Sequence, residues 1–320
     1  MLIRIKSNRI VRLNEMKGKN KILFYGTPDF AVACLEQLLQ DGFNIIGVVT
    51  APDKPAGRGK KLQQSDVKKF ALENKLDIYQ PLNLKSAEFL NTLENLNPDI
   101  QVVVAFRMLP VQVWDFPKMG TINLHGSLLP DYRGAAPINW AIINGEKETG
   151  VTTFKLLHEI DTGNIAYQQK VTIEADDNFE TLYNKLKWVG ATLMSKTIND
   201  IFNGSIKFLP QVLNGNENKA PKITKSDMEI NPSKKAKDIH NLIRGFSPNF
   251  GAFTKIDDKI FKIFDSQVTN MAVDELKSDL IIMDNKLLLK TRDFYLEILA
   301  CQLEGKRRMT AKEFILGSKL

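Results

Sequence analysis

The feature that most restricts the fold is a repeating order of short apolar runs and helical patterns. From Lys21, KILFYG is followed by a helical period over Asp29 to Gln40 and then by NIIGVVT. Runs that are apolar on both faces belong in a sheet covered on both sides, and their alternation with helices makes that sheet parallel. DIYQ (77–80), DIQVVVAF (99–106) and TINLH (121–125) continue the series, with helices over Asp66 to Asn74 and Ser86 to Leu96 among them. Asp29, just after Pro28, suits a helix start, and Gly42 suits a stop. A helix from Pro137 to about Asn144, the strands VTTFKLL and NIAYQQKVTI, and a long helix from Asn178 to Phe202 complete this part.

The character then changes. Asn203 to Lys222 holds Gly204, Pro210, Asn214, Gly215, Asn216 and Pro221 and reads as a linker with one short extended piece. Beyond it a helix over Ser233 to Gly245 precedes short alternating runs at GAFTKI, KIFKIFDSQV, DLIIMD, KLLLKT and FYLEIL, the pattern of a small all-β barrel or sandwich. A length of 320 residues with 43% hydrophobic content accommodates two such domains. The expected organisation is an extension over 1–20, an α/β domain with a Rossmann-like parallel sheet over 21–204, a linker over 205–225 and a small OB-like β-barrel over 226–320.

No apolar run reaches the roughly 20 residues that span a bilayer, and the N-terminus lacks the pattern of a secretory signal, so a cytoplasmic protein without a membrane partner is expected. Cys34 and Cys301 match no metal spacing and read as buried apolar fillers. Trp114, Trp140 and Trp188 read as core or edge packing. The net charge of +7 divides into +5 for residues 1–20, −3 for 21–205 and +5 for 206–320. Positive charge on the C-terminal part suits a polyanionic partner, and a solvated lysine-rich surface suits the same numbers.

GTPDF, after the first strand, lacks the G-x-G-x-x-G spacing of a dinucleotide site and reads as a tight turn into a helix. The connection APDKPAGRGKKLQQS, Ala51 to Ser65, is far longer than the usual ~2–6 residues. It carries Lys54, Arg58, Lys60 and Lys61 at the edge of the sheet where ligands bind in open α/β folds, and cations there suit phosphates.

INLHGSLLPDYRGAAP, Ile122 to Pro137, ends an apolar strand on Asn123 and His125, in a chain with 3 histidines. An acid, Asp161 in HEIDTGN, follows on a loop at a strand end. An amide donates to a developing oxyanion, a histidine moves a proton, and a carboxylate orients the imidazole. Such a trio without a reactive Ser or Cys suits acyl transfer to a nucleophile brought by a second substrate. Spacing alone leaves this open against a strand end whose polar groups merely satisfy loop backbone. His158 and Glu159 flank the acid, but two histidines and a carboxylate without fixed spacing are a weak metal signal, and no metal is expected.

HGSLLPDYRGAAPINWAI with Asn123 before it, EIDTGN, ILFYGTPDFA, the PDKPAGRGKKL loop and IRGFSP (Ile243 to Pro248) together resemble the methionyl-tRNA formyltransferase family. The resemblance runs from about Lys21 through the C-terminal domain. It implies transfer of a formyl group from 10-formyltetrahydrofolate to the α-amine of initiator methionyl-tRNA by a monomer, with the 21–204 domain catalytic and the β domain along the tRNA. It implies that Asn123, His125 and Asp161 are catalytic, and that Ser127, Leu128, Leu129 and Pro130 with Phe106, Arg107, Met108 and Leu109 line the folate pocket mainly through backbone groups. Arg58, Lys60 and Lys61 would enter the acceptor stem. Where many members have a Tyr-Gly pair, this chain has Phe106-Arg107 and is one residue shorter. Residues 1–20 precede the usual family start and read as a misassigned start with Met16 as initiator, a basic arm or import sequence being the alternative. Rival readings are a formyltransferase acting on glycinamide ribonucleotide or a sugar amine, and a non-catalytic RNA-binding protein. GTPDF lacks the phosphate turn of the first, the second has no use for the Lys60-Lys61 loop, and the third has no use for the trio.

Overall fold

β1 (Lys21–Gly26) lies at the heart of the N-terminal part, with Ile22, Leu23, Phe24 and Tyr25 all inaccessible to solvent, as expected for a strand covered on both faces. The computed structural model describes residues 19–56, 61–274 and 279–317. All but the last two residues of the expected extension lie outside these. Two units are present: one holds residues through Arg133, Gly150–Val171 and Asn184–Asn218, and the other Gly134–Thr149, Thr172–Tyr183 and residues from Lys219 on.

In chain order β1 is followed by α1 (Asp29–Gln40), β2 (Asn44–Val49), β3 (Lys54–Ala56), β4 (Lys61–Gln63), α2 (Asp66–Glu73), β5 (Ile78–Tyr79), α3 (Ala87–Leu96), β6 (Ile100–Val104), α4 (Val111–Trp114) and β7 (Thr121–His125). α5 (Pro137–Ile143) belongs to the second unit, and β8 (Glu148–Lys155), β9 (Ile165–Thr172) and α6 (Phe179–Phe202) come next. Local chemistry starts these helices where the sequence predicts: Ser65 Oγ accepts from Lys68 N–H at 3.0 Å and Ser86 Oγ from Phe89 N–H at 3.3 Å, caps worth about 1 kcal/mol each. The GTPDF turn feeds straight into α1, with Pro28 C=O accepting from Ala31 N–H at 2.9 Å.

The main sheet has the order β9-β8-β7-β6-β1-β2-β5. β5, β2, β1, β6 and β7 are parallel as expected, whereas β8 pairs antiparallel to β7. A parallel return needs a crossover packed on the sheet, and the one helix between β7 and β8 belongs to the other unit. On one face Leu23, Tyr25, Val49 and Val103 pack with Phe89 and Leu93 of α3 and with Leu109 and Val113. Within the expected Ala51–Ser65 loop, β3 pairs antiparallel with β4.

In the second unit α7 (Ala236–Gly245) starts later than the sequence predicts, because its first N–H is capped from a distant loop, Ala236 N–H donating to Asp293 Oδ1 at 2.8 Å. The β runs form β10 (Ala252–Ile256), β11 (Lys259–Ala272), β12 (Leu280–Met283), β13 (Lys286–Leu289), β14 (Phe294–Leu303) and β15 (Met309–Thr310). They make an antiparallel sheet in the order β10-β11-β14-β13-β12, with β15 on β14. Asp257-Asp258 (φ 47° and 63°) and Asp284-Asn285 (φ 50° and 61°) form the two-residue turns whose twist matches paired strands. α7 buries Ile239 and Ile243 against Phe261, Ile263, Leu287 and Leu296. A last helix, α8 (Ala311–Gly317), stands beyond the elements the sequence predicts. It is held by a reciprocal cap: Glu313 N–H donates to Thr310 Oγ1 at 3.2 Å, and Thr310 N–H to Glu313 Oε2 at 2.8 Å.

Cys34 and Cys301 are buried as expected, and burial pushes the Cys301 thiol up to about 12. Trp188 departs from the packing expectation and lies exposed on α6. Among the described residues no helix is long and apolar enough to cross a membrane.

Candidate active site

β7 lies between β6 and β8, and residues two apart on a strand share a face. Ile122 and Leu124 enter the core, which leaves Asn123 and His125 together on the opposite face. Asn123 is half-buried, and its side-chain amide bonds to none of the described residues. His125 is buried, with Nε2 at 2.8 Å from the carbonyl oxygen of Tyr132. A carbonyl only accepts, so Nε2 carries a hydrogen, and Nδ1 is the ring position that gains or loses a proton. Nδ1 lies 3.7 Å from Asp161 Oδ2, and both side chains are nearly excluded from water.

The register explains how Asp161 arrives. Thr152 pairs with His125 and Lys155 with Ile122, so β8 runs away from the histidine, and Leu156 N–H donates to Thr121 C=O at 2.8 Å. The chain then arcs back to bring Asp161 to His125. Lys155 closes the arc, its N–H donating to Asn164 C=O at 3.0 Å. A Cβ on Gly163 would lie 1.8 Å from the Lys155 carbonyl oxygen, so glycine is required there. Asp161 itself has φ 55°, and Tyr132, which holds the other side of the ring, has φ 59°. The sequence correctly places Asp161 on a loop after a strand, but that strand ends at the far edge from His125.

Gln211, on the segment read as a linker, went unread as a site residue. Its Nε2 donates to the carbonyl oxygens of Asp161 and Gly163, each at 2.8 Å, and its Oε1 accepts from Arg133 Nε at 3.1 Å. A lone glutamine in an Asn- and Gly-rich stretch carries no signal by which sequence reasoning finds it.

The loop after His125 is supported from beneath. Ser127 is buried and its hydroxyl donates to Asp131 C=O at 2.6 Å. Thr152 Oγ1 donates to Ser127 C=O at 2.6 Å and accepts from Leu129 N–H at 3.1 Å, while Gln168 Nε2 donates to Leu129 C=O at 2.8 Å. Leu129 is buried, and Leu128 and Pro130 keep part of their surface. In the second predicted group, Phe106 meets Tyr25 edge-on with ring centres 5.7 Å apart. Arg107 lies 5.7 Å from the Phe106 ring centre and donates to the carbonyls of Pro81 and Leu82. Met108 is exposed, whereas Leu109 is buried in the core.

Arg58 and Lys60 lie outside the described residues, and Lys61 opens β4 opposite Ala56. The base of that strand pair is tied down: Lys68 Nζ reaches Asp53 Oδ2 at 2.7 Å and Gln80 Oε1 at 2.8 Å, and Gln80 Nε2 donates to Asp53 Oδ1 at 2.9 Å. The hydrogen bonds from Gln80 and Lys68 hold the Asp53 carboxyl below its ordinary range. His158 and Glu159 are exposed, and among the described residues no group of three or more His, Cys, Asp or Glu is arranged to hold a metal.

The sequence profile of the formyl transferase family matches residues 19–198, and that of the formyl transferase C-terminal domain matches residues 222–319. The chain is 45% identical over 313 residues to the methionyl-tRNA formyltransferase of Azobacteroides pseudotrichonymphae, covering 94% of this chain and 97% of that protein. It is 44% identical over 310 residues to the methionyl-tRNA formyltransferase of Bacteroides fragilis, covering 94% and 95%. Among solved structures, the sugar 3N-formyl transferase WlaRD, crystallised in the presence of dTDP and 5-N-formyl-THF, superposes with a TM-score of 0.65 at 25% identity, covering 91% of this chain and 100% of that one. The chain belongs to the formyl transferase family, in its methionyl-tRNA formyltransferase branch.

Proposed function

We propose that Asn123, His125 and Asp161 are the catalytic residues with which this chain transfers the formyl group of 10-formyltetrahydrofolate to the α-amine of initiator methionyl-tRNA, for translation initiation. The observation that carries this reading is the amide of Asn123, bonded to none of the described residues, on the same strand face as a buried histidine whose proton-exchanging nitrogen faces a buried carboxylate. A packing role for Asn123 would have left its amide spent on loop backbone.

In the transfer an N–C bond forms between the methionyl amine and the formyl carbon, the bond from that carbon to the donor nitrogen breaks, and one proton passes from the amine to the leaving nitrogen. Asn123 donates a hydrogen bond to the formyl oxygen as it gains negative charge. His125, protonated at Nδ1, adds a positive charge beside that oxygen, and Asp161 balances the ring's charge and takes part in moving the amine's proton. Tyr132 keeps Nε2 occupied, so a single ring nitrogen exchanges protons.

Ser127, Leu128, Leu129, Pro130, Phe106, Arg107 and Leu109 form the donor pocket in this reading. Their properties fit a flat heteroaromatic ligand, because Leu128, Pro130 and Phe106 keep apolar surface while buried Ser127, Leu129 and Leu109 shape the support beneath. Arg58, Lys60 and Lys61 contact the tRNA acceptor stem, and the basic residues beyond 226 lie along the tRNA. The catalytic domain is 21–204, the linker 205–225 and the tRNA-binding domain 226–320. The enzyme uses no metal and works as a cytoplasmic monomer.

The test is formyl transfer from 10-formyltetrahydrofolate to purified methionyl-tRNA, initiator against elongator, with a dTDP-linked amino sugar as alternative acceptor. Preferential formylation of the initiator is expected. Formylation of the sugar alone, or of nothing, overturns the reading.

A further inference from the structure

We infer that residues 209–218, which the sequence presents as a linker, are a strap that positions both sides of the His125–Asp161 pair, with Gln211 as its central positioning residue. The inference rests on the reading of that pair as catalytic. The strap is anchored at one end by Leu209, which exchanges hydrogen bonds with Ile165 at 2.7 and 2.9 Å, just beyond the arc that carries Asp161. Gln211 then holds the arc itself through the carbonyls of Asp161 and Gly163, and is oriented by Arg133, whose Nε and Nη2 both donate to Gln211 Oε1 at 3.1 and 2.5 Å. At the other end Asn218 C=O accepts from Tyr132 N–H at 2.6 Å, and Asn218 N–H donates to Asp131 Oδ1 at 3.0 Å. Between the anchors the Glu217 carboxylate ties down the N–H groups of Asn214 and Gly215 and fixes the span.

One segment therefore touches the residue whose carbonyl sets the His125 tautomer and the residue whose carboxylate faces Nδ1. Both residues sit in the left-handed region, at φ 59° for Tyr132 and 55° for Asp161. Residues other than glycine persist there only where the surroundings over-determine them, and the strap supplies those surroundings on both sides. Gln211 touches no reacting atom. It acts through Asp161, in the way that outer hydrogen bonds orient a functional group.

Two variants of the full-length enzyme test this. Gln211→Met removes donor and acceptor with little change of shape, and Gln211→Glu keeps an acceptor for Arg133 but loses the donor to Asp161 and Gly163. Both are expected to lower kcat about ten- to a hundredfold, with KM for the formyl donor and for methionyl-tRNA changed by no more than about twofold. The imidazole nitrogen NMR signals of His125 should differ between wild type and Gln211→Met. Wild-type kcat in both variants overturns the strap, as does a loss of kcat that appears only in proportion to protein that no longer folds. If the unmutated enzyme fails to formylate methionyl-tRNA, the functional reading falls instead, and the strap is judged by the His125 signals alone: a shift upholds it and identical signals overturn it.

Discussion

Nδ1 of His125 stands 3.7 Å from Oδ2 of Asp161, with each side chain about nine-tenths shielded from solvent. That separation is beyond hydrogen-bond reach, so the carboxylate acts on the ring through its proximity rather than through a direct hydrogen bond between these two atoms. Asp161→Asn keeps the shape and removes the charge. We predict that it lowers kcat by about 10²- to 10⁴-fold while thermal unfolding stays within a few degrees of wild type. Formylation kinetics with a melting curve check this, and an unimpaired kcat would remove Asp161 from the trio.

The side-chain amide of Asn123 donates to none of the described residues, so its replacement breaks no side-chain hydrogen bond to them. Asn123→Ala is predicted to leave stability within about 1 kcal/mol of wild type, yet to cost about 10²- to 10³-fold in kcat, as loss of an oxyanion donor does elsewhere. A denaturation curve and a turnover measurement on the same preparation decide it. Strong destabilisation with near-normal turnover would return Asn123 to a packing role.

Gly163→Ala places a methyl group where the Lys155 carbonyl oxygen stands, at 1.8 Å. Backbone cannot yield cheaply there, so the arc carrying Asp161 must shift. We predict a stability loss of about 1–3 kcal/mol together with a fall in kcat, readable by urea unfolding and steady-state kinetics. Gly317→Ala, with open space around it and no left-handed backbone, serves as a control for loss of a glycine as such.

His240 bonds Ser266 Oγ through Nδ1 at 3.0 Å, and burial, followed by the charge of Arg244, holds its pKa below the ordinary 6.5 against the opposing pull of Asp265. On acidification the unfolded chain takes up this proton first, so the stability present above 6.5 is lost as pH falls toward the lowered folded value. His240→Gln should flatten the fall in urea stability between about pH 7 and 5, the side in which a free histidine titrates. Parallel curves for wild type and variant would refute the assignment.

The parallel core of the sheet was legible because KILFYG, NIIGVVT and DIQVVVAF are apolar on both faces, and periodicity reports burial directly. The antiparallel turn of β8 was not, since the sense of VTTFKLL depends on where the preceding helix packs, which is a tertiary matter. Asn123 and His125 were legible as a pair because strand geometry fixes their common face. Asp161 was legible as a candidate acid on a loop at a strand end, whereas its return to His125 was not, since no local rule specifies how a loop returns. Gln211 and Thr152 act through hydrogen bonds to backbone carbonyls, and a carbonyl leaves no mark in a sequence. The start of α7 was misread for a related reason, its cap being Asp293 from another part of the chain.

The arc from Lys155 back to His125 separates two kinds of constraint. Leu157, His158, Glu159 and Ile160 all face solvent, and their chemistry is little restricted. The distance they cover is restricted, because the arc leaves and rejoins the sheet at Lys155 and must deliver Asp161 to one fixed nitrogen. Sequence drift in this stretch is therefore expected as replacement at constant length, and a single inserted or deleted residue there is equivalent to losing the carboxylate.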